Sequence, residues 1–477
     1  MKKKFGSILM AGVMACTLGA SLAMTGCGAS KVYDFNMPEG GYDGRKVTIT
    51  FANTTGQKLN DEIVSAIGRF NEIYPNITVN IDNGTKNWND FHEKIATQIT
   101  GGKQPNVAYC YSDHVALYNR SKSVVALDEY FLPGSGYEEV QATTATGSVT
   151  LGLTQAEKDD YIDAFFAEGS NFEDGHTYTI PFAKSTEVLF YNKTFFDANN
   201  LTVPTTWDEM EAVCKKITEI DSKCIALGYD SEDNLFITMC EQLGSAYTSY
   251  EGDHYLFDNQ TNRDFVQKLK TWCDSRYITT KGTYGTYSSN LFTETDPAKT
   301  KCYMSIGSTG GSSYQAPGST DGKPAFEVGV APIPQINKDN PKTILQGPSV
   351  CIFKKEDPYE VLASWLLVKF LSTDIRFQGK FSEVSGYAPV TKSTFNSDAY
   401  KEFMAEADGS DAGLTAQAAK ICWELSQKEG AFYTSPAFRG SSKAREQVGL
   451  LLSSVLKGQD TIDSAFKKAI QECRQMG

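Results

Sequence analysis

The chain has 477 residues, 22% of them charged, and a formal charge of -13 at pH 7. That length exceeds what one growing hydrophobic core supports, so two or more domains are expected. An acidic surface repels phosphate backbones and excludes nucleic acid as the partner, although it leaves room for a small anion held in a local basic pocket.

Lys2, Lys3 and Lys4 open the chain, and an uncharged run rich in Ile, Leu, Met, Val and Ala follows with no further charge before Lys31. This is a secretory leader, not fold. Met24-Thr25-Gly26-Cys27 resembles the lipobox of bacterial lipoproteins. The resemblance implies a signal peptide of residues 1–26, cleavage before Cys27, and acylation of its sulfur and new N-terminus. The alternative is an ordinary signal peptide with a stray cysteine. Losing the leader removes three lysines and no acid, which takes the charge to about -16. Residues 27–43 read as a flexible lipid-anchored linker, and no later stretch approaches the roughly 18 apolar residues that a membrane span needs.

The body opens with "RKVTITFAN", where Val47, Ile49 and Phe51 alternate with polar residues as in a strand. Leu59, Ile63, Ile67 and Phe70 recur at helical spacing, and Pro75 stops that helix. Ile77, Val79 and Ile81 alternate again, completing a βαβ unit with a right-handed crossover. The class is α/β. The segment 132–154, rich in Gly, Ser, Thr and Ala, reads as a surface excursion. "TYTIPFAKSTEVLFYNKTFF" reads as a strand leaving a proline corner, and "VPTTWDEMEAVCKKI" as a helix start with Thr206 as N-cap and Glu209 at the capping-box position. "FEVGVAPIP" is a short strand ended by prolines. "KKEDPYEVLASWLLVKFLS" starts a helix capped by Asp357, with Pro358 in its first turn and a buried face of Val361, Leu362, Trp365, Leu366 and Phe370.

If Cys27 carries lipid, nine cysteines remain in the body, an odd number spread singly among apolar neighbours with no C-x-x-C. Packing as small hydrophobes fits that pattern better than a disulfide or zinc framework.

Over nearly all of 44–477 the chain is similar to family 1 extracellular solute-binding proteins of ABC importers. The matching pieces come in the family's order: "FNEIYPNITVNI", "FHEKIATQITGGKQPNVAY", "TYTIPFAKSTEVLFYNKTFF", "PTTWDEM", "KCYMSIGSTGGS", "GVAPIP", "SEVSGYAPV" and "AFKKAIQE". The resemblance implies an α/β fold of the two-lobed, periplasmic-binding-protein-like class II type, with the ligand in a cleft between lobes. Carrying over the family's crossovers puts 44–177 plus 304–353 in lobe 1 and 178–303 plus 354–477 in lobe 2. It implies a binding protein and not an enzyme, with no cofactor. Its partners would be a small-molecule solute, the transmembrane subunits of a permease, and the membrane through the lipid anchor. It would work as a monomer on the extracellular face of a Gram-positive-type cell membrane or in a periplasm.

Within the family, "GSTGGS" resembles the Ser/Gly-rich phosphate loop of the glycerol-3-phosphate-binding branch, "QGPS" its glycine turn, "SGYAPV" its tyrosine and "FRGSSKAR" its late arginine. That carries ligand contacts onto Ser308, Gly310, Gly347, Tyr387 and Arg439, with Ser185 of "AKST" as a further candidate. Trp88 and Asp113 stand where the first lobe usually supplies an aromatic or polar contact. Amides of a Gly/Ser loop form an anion nest, and an arginine offers phosphate a planar fork. Two departures from the branch, Gln57 for an acidic residue and Tyr229-Asp230 for a tryptophan, keep a neutral sugar open. For such a sugar, Trp88, Tyr387 and Tyr229 would stack on ring faces while Asp113 and Asp230 take hydroxyl hydrogen bonds.

Two rival classes remain. A lipid-anchored glycoside hydrolase needs only a carboxylate pair and a sugar cleft, which 58 acids and 12% aromatic residues supply, and a structural or adhesive lipoprotein is the other. There is no H-E-x-x-H, G-x-S-x-G or Walker loop; "GSTDGKP" around Gly318 lacks the spacing. The histidines, His92, His114, His176 and His254, are dispersed without metal-ligand spacing. His114, beside Asp113, reads either as a cleft contact or as a lone surface histidine.

Overall fold

The computed structural model describes residues 33–475 apart from 86, 321 and 408–412. The leader and Cys27 lie outside the described residues. Alternation and helical spacing build what they promise at the start. Strand β1 (Val47–Ala52) leads into helix α1 (Gln57–Ile73), which buries Ile63, Ala66, Ile67 and Phe70 and ends just before Pro75; β2 (Ile77–Asp82) then pairs parallel to β1 from Val47↔Ile77 to Ala52↔Asp82. Helix α2 (Trp88–Thr100) delivers β3 (Val107–Cys110) to the other side of β1, again parallel, and helix α3 (Ser112–Tyr118) follows.

The remaining strands of the main sheets are β4 (Ile180–Pro181), β5 (Glu187–Asn192), β6 (Leu227–Tyr229), β7 (Ile278–Thr280), β8 (Met304–Ser308), β9 (Val328–Pro332) and β10 (Ser349–Ile352). One five-stranded sheet runs β2-β1-β3-β10-β4 and the other β9-β5-β8-β6-β7. In the first, β10 is inserted antiparallel against β3, with Ser349 opposite Cys110. In the second, β8 lies antiparallel to β5 and parallel to β6. The further helices that matter below are α4 (Trp207–Ile220), α5 (Glu232–Leu243), α6 (Pro358–Thr373), α7 (Ile375–Ser385) and α8 (Ser441–Leu456). The capping box at Thr206 and Glu209 forms on α4, and Asp357 caps α6 through the Tyr359 amide at 2.9 Å.

Each sheet has its own core. The first runs from Phe35 to Ala183 and resumes from Leu345 through Trp365 and Phe381 to Cys422; the second runs from Leu189 to Ile344 and resumes from Tyr433 to Cys473. This corrects the expected lobe division. Segment 304–344 belongs with the second sheet, because β8 and β9 hydrogen-bond on either side of β5. Segment 354–407 belongs with the first, because α6 is buried all round from Val361 to Val368 and needs apolar cover on every side, whereas the helix Gly413–Ser426 packs on both lobes, its Gln417 accepting the Val330 amide at 3.1 Å. Part of that cover is the segment expected to be a surface excursion. It forms a hairpin, Gln141–Thr144 against Gly147–Thr150, and the Trp365 indole donates to the Leu151 carbonyl at 2.8 Å. The described end of the expected linker is likewise docked, with Phe35 and Tyr42 buried and the Tyr130 hydroxyl donating to the Phe35 carbonyl at 3.0 Å. The nine body cysteines are free and mostly buried, as small hydrophobes.

The chain crosses between lobes after Ala183, at Ile344 to Leu345 and over 432–438. These crossings are stitched to one another. Ser185 and Gln346 exchange backbone hydrogen bonds of 2.9 and 2.8 Å, the Thr186 hydroxyl bonds the Thr343 hydroxyl and the Ile344 carbonyl, and Thr343–Ile344 pairs parallel with Phe432–Tyr433. At the first crossing the buried Lys184 ammonium is paired with Glu168 and donates to the Gly347 carbonyl and the Ser349 hydroxyl. Among the described residues no helix is long and apolar enough to cross a membrane.

Candidate ligand cleft

Ligands of open α/β sheets sit beyond the carboxyl ends of strands, and three such ends converge here: Tyr111 with α3 after β3, Asp230 with α5 after β6, and Ser308 with the short helix Thr309–Gln315 after β8. Helices α3 of the first lobe and α8 of the second touch across the seam.

The first lobe brings an aromatic wall. Trp88, half-buried at the start of α2, lies with its ring 4.5 Å from that of Tyr111 and stacked 6.2 Å from that of Tyr109. Tyr387 closes the wall, its ring set against the Gly310 backbone so closely that a Cβ there would lie 2.9 Å from it. Burial pushes its hydroxyl pKa up to about 12. Asp113 sits in the first turn of α3 and accepts the His114 amide at 2.9 Å.

The second lobe brings charge that is already paired. Arg445 on α8 bonds Asp233 at 2.7 Å through Nε and donates to the Asn234 side chain. Although burial opposes its charge, the carboxylates of Asp233 and, across the seam, Asp113 hold the guanidinium firmly ionised. Asn234 in turn donates to the buried Glu187, which also accepts from the Tyr229 hydroxyl. Burial raises the Glu187 pKa to about 7. Asp230 accepts both the amide and the hydroxyl of Ser288 at 2.7 Å, and burial raises its pKa despite those bonds.

Several expected contacts therefore have other roles. Tyr229 is fully buried and spends its hydroxyl on Glu187, so its ring is core and not a stacking face. Ser185 and Gly347 are buried hinge residues. Gly347 has φ 92° and would place a Cβ 2.4 Å from the Ala183 carbonyl. The Ser308 hydroxyl caps the Gly310 amide at 3.2 Å and the Thr309 amide donates to Thr186, so two amides of the expected anion nest are satisfied internally. Arg439 is exposed; the arginine of "FRGSSKAR" that reaches the cleft is Arg445. Of the expected residues, Trp88 and Tyr387 form part of the aromatic wall, Asp113 bears on Arg445 across the seam, and Asp230 follows β6 in the second lobe.

Sequence reasoning missed Arg445, Tyr109, Tyr111, Tyr247, Asp233, Asn234 and Glu187. Arg445 was within reach, since it lies one turn from Ser441 and next to Ala444 on the buried side of an amphipathic helix. Four polar atoms near the seam, the Tyr109 and Tyr247 hydroxyls, Gln315 Oε1 and His114 Nδ1, are buried with no hydrogen-bond partner among the described residues. Such orphans are rare in a finished core and common where a ligand completes a site.

The profile of a family described as bacterial extracellular solute-binding protein matches residues 65–407. No curated protein sequence matches the chain. Among solved structures, the chain resembles the GacH receptor of Streptomyces glaucescens, solved unliganded and with acarbose, at 18% identity over 90% of this chain and 98% of that one, TM-score 0.67. It resembles UgpB of Mycobacterium tuberculosis, solved with glycerophosphocholine, at 17% identity over 90% and 98%, TM-score 0.70. It also resembles maltose-bound MalE3 of T. maritima at 17% identity over 90% and 100%, TM-score 0.66. At these identities the likeness shows the fold.

Proposed function

Because the chain belongs to the family of bacterial extracellular solute-binding proteins, we propose that it captures a neutral carbohydrate, a sugar or oligosaccharide, in the cleft between its lobes and delivers it to the transmembrane subunits of an ABC importer. Cys27 carries the lipid that keeps it at the extracellular face of the membrane. The observation that carries the choice of solute is the state of Arg445, already neutralised by Asp233 and facing Asp113. A dianionic phosphate would have to displace a carboxylate and approach two more acids, Asp113 and Asp230. With the Gly310 and Thr309 amides spent internally, no open nest compensates. A neutral polyol instead meets the Trp88 and Tyr387 ring faces and the unpartnered Tyr109, Tyr247 and Gln315 side chains.

Titration calorimetry with a panel of neutral mono- and oligosaccharides, glycerol 3-phosphate and glycerophosphocholine tests this. Saccharide heats with silent phosphates are expected, and the saccharide should be recovered unchanged, which separates capture from glycoside hydrolysis. Tight glycerol 3-phosphate binding would overturn the reading in favour of the second one, a glycerol-phosphate ester, whose support is the presence of any guanidinium in the cleft. For the anchor, Cys27→Ser should move the protein from the membrane fraction to the medium.

A further inference from the structure

The segment that leads into β1 is held against the body at several points. Phe35 is buried edge-on against Tyr130, ring centroids 4.8 Å apart, and lies 5.9 Å from the Phe131 ring. The Tyr130 hydroxyl donates to the Phe35 carbonyl at 3.0 Å. Tyr42, 1% exposed, joins the hairpin at 141–150: its amide donates to the Gln141 carbonyl at 3.2 Å and its carbonyl accepts the Thr143 amide at 2.7 Å. Gly41, at φ 72°, approaches so closely that a Cβ there would lie 2.2 Å from the Gln141 carbonyl oxygen. Arg45 then lies over the Tyr359 ring of α6, 3.4 Å from its centroid. All of these partners belong to the first lobe.

The docking shortens the leash. From Cys27 to Val47, where β1 begins, the chain runs twenty residues and taut would reach about 70 Å. With Phe35 clamped, six residues separate Cys27 from Tyr33, and the reach falls to about 20 Å. A globular body of about 440 residues has a radius of gyration of about 22 Å. A leash no longer than that keeps the far side of the body from turning to the membrane, whereas one of about 70 Å lets the body tumble. Adsorption does not supply the orientation. Asp34, Glu39, Glu129, Glu138 and Glu139 are exposed on the clamp and the segments beside it, and anionic lipid repels such a face.

We propose that residues 33–43 form a clamp that makes the first lobe the membrane-proximal one, turning the face around Phe35 and Tyr130 toward the lipid bilayer and holding the second lobe away from it. The proposal rests on the anchor at Cys27 and goes beyond it, since an anchor on a long leash fixes neither the face nor the lobe that meets the bilayer.

The test uses the mature protein, beginning at Cys27, coupled through that thiol to a maleimide lipid in phosphatidylcholine vesicles. Cys273→Ser removes the half-buried body cysteine, and the other eight are buried. A donor dye is attached through a click-reactive residue at exposed Glu139 of the first lobe or exposed Lys467 of the second, and energy transfer to an acceptor lipid in the bilayer is read. Transfer should be greater from position 139 than from 467. A Gly/Ser spacer of about ten residues between Ser30 and Lys31, which adds about 35 Å of reach, should abolish that difference, and so should Phe35→Asp, which breaks the clamp. Equal or reversed transfer in the unaltered chain, or a difference that survives both changes, overturns the proposal. The spacer lies outside the body, so the answer stands even where Phe35→Asp fails to fold. Because chemical coupling replaces acylation, failure here is distinct from failure of the lipid-anchor reading, which the fractionation of Cys27→Ser decides.

Discussion

Asn234 donates its side-chain amide to Glu187 at 2.8 Å, so the carboxyl group that starts the strand leaving the hinge is tied to the residue holding the cleft arginine. Hinge and cleft share one buried polar network, which Tyr229 completes from the core side.

Glu187 gives that network a pH signature. Its folded pKa of about 7 lies above the ordinary carboxylate value, so the fold prefers the protonated form. That stabilisation is fully present below about pH 4.5 and is lost as pH rises through about 7. Glu187→Gln keeps the shape and cannot ionise. It should flatten the pH dependence of urea unfolding between about pH 5 and 8 and stabilise the protein by up to about 3 kcal/mol at the alkaline end. A variant as pH-dependent as the wild type would refute the assignment.

Arg445 and Arg439 separate in a direct comparison. Arg445→Ala leaves Asp233 without its 2.7 Å partner and exposes the seam to uncompensated acid. It should lower stability by about 1–3 kcal/mol and weaken solute binding. Arg439→Ala, at an exposed position, should stay within about 0.5 kcal/mol of wild type in both. Equal effects in thermal melts and calorimetry would contradict the placement of the cleft arginine.

Trp88 tests the aromatic wall. Removing the ring that stacks on Tyr109 should weaken binding of the best neutral saccharide by on the order of tenfold or more, and Trp88→Phe should restore part of it. Calorimetry showing unchanged affinity for Trp88→Ala would remove the wall from the site.

Lys184 and Glu168 test the hinge. Lys184→Met strands a carboxylate that is nearly as buried as the lysine itself, an arrangement that costs about 3–5 kcal/mol. Adding Glu168→Leu removes the stranded charge and should recover most of the loss in denaturant midpoint. A single variant costing under about 1 kcal/mol would mean that the pair is solvated in solution.

Much was legible in the sequence because it depends on neighbours. The alternation of Val47, Ile49 and Phe51, the helical spacing from Leu59 to Phe70, and the caps at Thr206 and Asp357 each specify a local backbone whose hydrogen bonds close within a few residues. Ordered motifs carried the fold and the family. Trp88, Asp113, Asp230 and Tyr387 were legible as candidates because they sit beyond strand ends or in the loop after a helix, and local pattern marks such positions.

Tertiary structure alone decided what covers what. Periodicity gives α6 one buried face; it does not say that the helix is buried all round from Val361 to Val368, nor that the hairpin at 141–150 and the first sheet are part of its cover. Nothing in the local pattern of Met304–Ser308 says which lobe β8 joins; its hydrogen bonds to β5, more than a hundred residues away in the chain, settle the matter. Tyr229 and Arg439 illustrate the same limit at the site. An aromatic ring in a loop motif and a guanidinium in a family motif look functional in one dimension. Yet a buried carboxyl at Glu187 takes the tyrosine, and the phase of α8 turns Arg445 inward while Arg439, ahead of the helix, meets water. The sequence by itself determined the elements, their caps and the family. Which polar groups were left unsatisfied at the seam was set by long-range packing, because an unpaired atom is defined by everything that surrounds it.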